Sequence, residues 1–104
     1  MNEVFADKQT KTRKQTAKTV SPPSMYAVIL HNDDYTTFEF VVGILTGIFG
    51  MDVSEAISLT TEIHNKGSAV CGVYPLEIAE TKVKMVHESS REAEYPLQCT
   101  IRKA

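Results

Sequence analysis

Three sets of residues in this 104-residue chain have types and spacing that suit chemistry. The first is Asn32-Asp33-Asp34, two adjacent carboxylates beside an amide carbonyl. Such a cluster offers only acceptors toward a cation, and it suits one that carries several N–H donors. The same tripeptide is also an ordinary turn, because Asn and Asp hydrogen-bond their own backbone. A divalent metal is a weaker reading, since one cluster supplies few of the hard oxygens such an ion needs. The second is His64, four residues after Thr60, so that both stack on one face of a helix. It is either a helix-end residue with its bonds satisfied or a hydrogen-bonding group at the rim of a pocket. The third is Cys71, seven residues after His64. It lies within an apolar strand pattern, where Cys behaves as a small hydrophobe rather than a nucleophile. Phosphate-binding Gly-rich loops, G-x-S-x-G and H-E-x-x-H are all missing from the sequence, so no enzyme argument arises.

The elements that must position these residues follow from periodicity. Tyr26 to His31 is a short apolar run rich in β-formers and bounded by Pro and by Asn-Asp-Asp, which predicts a buried strand. Thr36-x-x-Glu39 has the form of a capping box, and Phe38, Val41, Val42, Leu45, Ile48 and Phe49 follow at helical spacing. Gly43 and Gly47 inside that helix predict close packing there. Asp52-x-x-Glu55 opens a second helix with Val53, Ala56, Ile57, Thr60, Ile63 and His64 along one stripe and Gly67 as its cap. A strand over 68–74 stops at Pro75, where a third helix begins with Leu76, Ala79, Val83, Val86 and Ser90 on one face. Pro96 precedes a last strand over 97–101. The order β-α-α-β-α-β predicts an α+β fold, three helices packed on a small, mainly antiparallel three-stranded sheet.

Length and charge bound the rest. One domain is expected, over 25–104, and membrane-spanning runs are missing. The formal charge is −2, against a general nucleic-acid binder. Five basic residues against Glu3 and Asp7 give residues 1–20 a local +3, leaving −5 on the remainder. Residues 1–24, with few apolar side chains and Pro22-Pro23 at their end, read as a disordered basic extension and linker. The first twenty residues lack the apolar core of a secretory signal, and two isolated cysteines suit a reducing cytoplasm.

Pro22-Pro23-Ser24-Met25-Tyr26, then Val28-Ile29-Leu30 leading into Asn32-Asp33-Asp34-Tyr35-Thr36, resembles the opening of the ClpS adaptor family. His64 with Gly67, Cys71-Gly72-Val73, the run from Glu77 to Val83, and Pro96-Leu97 extend that resemblance over about residues 22–104. It implies a non-enzymatic, cofactor-free cytoplasmic receptor with a fold akin to the C-terminal domain of a ribosomal stalk protein. Such receptors grip proteins by an N-terminal Leu, Phe, Tyr or Trp and deliver them to the ClpA unfoldase of the ClpAP protease. By the resemblance, Asn32, Asp33 and Asp34 receive the ligand's α-ammonium, and His64 contacts the backbone of its first residue. Phe38, Val41, Thr60, Ile63 and Leu97 match the apolar side-chain pocket. Glu77 and Lys82 match the surface that docks on the ClpA N-terminal domain. Phe38 and Thr60 stand where the family usually has Met, the ring narrowing the pocket and the smaller Thr opening its opposite wall. A docking module that modulates the unfoldase without recognising N-terminal residues is the alternative.

Overall fold

A computed structural model of the protein describes residues 21–104. Of the extension expected over 1–24, residues 1–20 lie outside the described residues. The elements are β1 (Met25–His31), α1 (Phe38–Gly47), α2 (Val53–Lys66), β2 (Ser68–Pro75), α3 (Leu76–Glu92) and β3 (Gln98–Lys103), in the order the sequence predicts. The sheet runs β2-β1-β3 with both pairings antiparallel.

Alternation along β1 explains why it is central. Val28 and Leu30 are fully buried and belong to the main core, whereas Ala27 and Ile29 alternate onto the other face of the sheet. Leu30 faces Ala69 on one side and Cys99 on the other. Ile44 and Leu45 from α1, Ala56 and Ile63 from α2, and Ala79 and Val86 from α3 close the core over it. Pairing with β2 shifts register between Val28 and Ile29, which leaves Cys71 as the extra residue. The next residue, Gly72, lies under the Tyr74 ring: a Cβ there would come within 2.6 Å of Cζ.

Three local expectations are corrected. Thr36 is not the α1 cap. Thr37 is, its hydroxyl accepting from the Phe40 N–H at 3.2 Å, while Thr36 turns back to Asp33. Gly43 and Gly47 are not sites of close packing, since a Cβ at either would meet nothing within 4 Å. Leu97 precedes β3 rather than opening it. The α2 stripe is narrower than its pattern. Ala56, Thr60 and Ile63 are buried, but Val53, Ile57 and His64 are exposed.

Candidate functional site

The loop between β1 and α1 is held in shape from two sides. The Asn32 N–H donates to the Gly67 carbonyl at 2.8 Å, tying the loop to the end of α2. Gly67 can present that carbonyl because it caps α2 in the left-handed region, φ +97°, with its own N–H bonded to the Ile63 carbonyl. Asp33 organises the loop from within. Its Oδ1 accepts from the Tyr35 and Thr36 N–H groups at 2.8 and 2.7 Å, and its Oδ2 accepts from the Thr36 hydroxyl at 2.7 Å. Partial burial alone would raise the pKa of Asp33. The bonds from the Thr36 hydroxyl, the Thr36 N–H and the Tyr35 N–H outweigh that and hold it below the ordinary carboxylate value.

The result is a cleft of about 330 Å³ lined by Asn32, Asp33, Asp34, Thr36, Phe38, Thr60, Ile63 and His64. Its rim is polar, with Asn32, Asp34 and His64 all exposed. Deeper in, Thr60 and Ile63 are only 3% and 2% exposed. Phe38, at the first turn of α1, keeps 42% of its surface exposed. Acceptors at the mouth and apolar surface behind them suit a cationic group attached to a bulky apolar one.

Seven of the eleven residues to which the resemblance gives a role therefore meet in one place: Asn32, Asp33, Asp34, Phe38, Thr60, Ile63 and His64. Val41 and Leu97 do not line the cleft. Both are buried in the core cluster that also holds Ile63, and Leu97 borders a separate crevice with Tyr95 and Pro96. Glu77 is exposed in the first turn of α3, between the exposed side chains of Leu76 and Ile78. Lys82 is half-buried. Its Nζ donates to the Ile48 carbonyl at 2.6 Å and sits 5.6 Å from the Tyr74 ring centre and 6.0 Å from that of Phe49.

Thr36 is the cleft residue that sequence reasoning missed. The Asp-x-x-Thr spacing, with a short acceptor three residues before a hydroxyl, is the signal that carries it. Burial pushes the Cys71 thiol up to about 12, with Cys99 nearby adding to the shift, and burial pushes Cys99 to about 12 as well. Neither thiol has the thiolate character of a nucleophile. Among the described residues, no three His, Cys, Asp or Glu side chains gather as a metal site, and no helix is long and apolar enough to cross a membrane.

Fold and cleft together define a small α+β module that presents a polar-rimmed pocket. A sequence model of the ATP-dependent Clp protease adaptor protein ClpS matches residues 21–100. The ATP-dependent Clp protease adapter protein ClpS of Edwardsiella ictaluri is 50% identical over 90 residues, covering 86% of this chain and 85% of its own. That of Sodalis glossinidius is 49% identical over 98 residues, covering 94% and 92%. The structure of Agrobacterium tumefaciens ClpS2 bound to L-phenylalaninamide superposes with a TM-score of 0.77 at 38% identity, covering 80% of this chain and 100% of that one. The chain belongs to the ClpS family, and is thus an adaptor of the Clp protease system rather than an enzyme.

Proposed function

We propose that the cleft binds the free N-terminus of proteins beginning with Leu, Phe, Tyr or Trp, and that the adaptor delivers them to a ClpA-type AAA+ unfoldase in the cytoplasm. One observation carries this reading: a single cleft combines the exposed acceptors Asn32 and Asp34 with apolar surface from Phe38 and the buried Ile63. L-Phenylalaninamide, held by the ClpS2 relative, has the matching chemistry of an α-ammonium, an aromatic side chain and an amide where a peptide would continue.

On this reading the Asn-Asp-Asp cluster divides its labour. Asp33 is a positioning residue, since both its oxygens already accept from Tyr35 and Thr36. Asn32 and Asp34, whose side chains make no hydrogen bond to the described residues, take the ammonium. His64, across the cleft, orients the first peptide bond. Val41 and Leu97 act through the packing behind Ile63. Charge-assisted bonds contribute about 1.5–3 kcal/mol each, and burying one large apolar side chain adds about 1.5–3. After association costs, affinity in the micromolar range is expected.

Docking on the unfoldase's N-terminal domain is assigned to the Glu77 end of α3, where Leu76 and Ile78 keep 40% and 48% of their surface exposed. The test of the cleft is fluorescence anisotropy with peptides that differ only at the amino terminus. Acetylation removes the cation, so an acetylated Phe peptide should bind at least about 100-fold more weakly than the free one. Equal binding would overturn the proposal.

A further inference from the structure

Thr60 is the one polar side chain buried in the wall of the cleft. Its surface is 3% exposed, and its hydroxyl proton is committed to the Ala56 carbonyl at 2.7 Å. A hydroxyl carries one donor and two acceptor lone pairs. With the donor turned back into α2, what remains for an occupant of the cleft is acceptor capacity. No protein donor reaches the Thr60 oxygen among the described residues. A phenyl or isobutyl side chain seated against it would leave that oxygen facing carbon.

Position along the helix decides which donor can reach it. His64 stands at the exposed rim, and Thr60 lies one turn earlier on the same face, about 6 Å further along the axis. A side chain whose α-carbon is fixed near the Asn32–Asp34–His64 rim must therefore carry its donor at the far end of a long, flat body. Leu and Phe have no such donor. The indole N–H of Trp is on the side of the ring rather than at its tip. The phenol O–H of Tyr is at the tip.

We infer that Thr60 is a specificity residue that favours N-terminal tyrosine over phenylalanine by accepting a hydrogen bond from the phenol. The inference rests on the cleft being the N-terminal-residue site. It concerns one oxygen atom within that site, and Ile63 and Phe38 supply the apolar contact common to both ligands. A net hydrogen bond of ordinary strength corresponds to a preference of about fivefold.

The test measures affinity for three otherwise identical free-amine peptides that begin with Tyr, Phe or 4-fluorophenylalanine, on the wild-type protein and on Thr60→Val. Wild type should bind the Tyr peptide about fivefold more tightly than the other two, which should match each other, because fluorine fills the para position without donating. In Thr60→Val a second methyl replaces the hydroxyl, so the Tyr-to-Phe ratio should collapse to about onefold, whatever the substitution does to the affinity the two peptides share. A wild-type Tyr-to-Phe ratio at or below one overturns the inference, as does a preference that survives in Thr60→Val. If Thr60→Val loses Phe binding as well, the wild-type series with the fluorinated peptide decides alone. Binding of all three peptides with no discrimination defeats the role of Thr60 and leaves the N-terminal-residue reading standing. Binding of none defeats both.

Discussion

The two ends of α1 treat their polar groups in opposite ways. At its N-terminal end, beside the cleft, Asn32, Asp34 and His64 stand exposed around a pocket, and one carboxylate, Asp33, is devoted to holding the loop. At its C-terminal end the Ile48 carbonyl is covered by Lys82, which reaches across from α3 and lies against Phe49 and Tyr74. The first end leaves hydrogen-bonding groups exposed. The second consumes its own internally. Under the proposed roles, the open end is the one suited to recognising a small ligand, and the closed end serves stability.

The contrast is sharpened most by removing an acceptor from the open end. Asp34→Ala should weaken binding of a free-amine Phe peptide by about 10–100-fold, the cost of one charge-assisted bond, with no change in melting temperature. Anisotropy together with a thermal melt reads both quantities. A variant that melts early would show that Asp34, like Asp33, holds the loop.

Lys82→Met should do the reverse. It leaves the Ile48 carbonyl without its partner, costing about 1–2 kcal/mol and lowering the melting temperature by roughly 4–15 °C. Peptide affinity should stay within about twofold of wild type. Weaker unfoldase association in this variant has to be judged against that loss of stability.

Gly67→Ala comes next, because φ +97° strains any side chain. About 1 kcal/mol of stability should be lost. Since the Gly67 carbonyl also holds the Asn32 N–H, peptide affinity should fall with it. Denaturant unfolding and anisotropy on the same samples test whether the two losses are coupled.

The smallest effect concerns pH. Asp33 has its folded pKa held below its unfolded value, so its contribution is fully present above the unfolded pKa and is lost as pH falls through the folded one. Wild type should therefore lose stability in acid more steeply than Asp33→Asn, whose side chain does not titrate. Parallel curves of melting temperature against pH for the two proteins would refute that assignment.

How much of this was legible in the sequence varied with the distance over which a contact acts. The order of strands and helices was legible because Val28 and Leu30, or Ala56 and Ile63, recur at the periods their elements impose. The cleft was half legible. Asn32 to Asp34 and His64 are polar interruptions beside apolar runs, but only the fold brings α2 against the loop. The α1 boundary slipped by one residue because Thr36 and Thr37 have the same chemistry, and Asp33 competes for the first of them. Lys82 was not legible at all as a helix cap. Its partner lies 34 residues away, and nothing in the local pattern distinguishes it from any exposed lysine. Leu97 illustrates the converse. It is an apolar residue beside a proline, and the chain uses it to fill the core rather than to line the cleft.

The close approach of Tyr74 to Gly72 also limits which sequences this fold accepts. One methyl group added at position 72 would have to displace the phenol, and the phenol is in turn a neighbour of Phe49 and of the Lys82 ammonium that closes α1. An alanine there would thus be felt beyond β2 as well, carried by the Tyr74 ring to the Phe49 and Lys82 side chains at the C-terminal end of α1. The cost of a side chain at position 72 is set by how readily the half-buried Tyr74 ring swings aside, not by the buried area of the glycine itself.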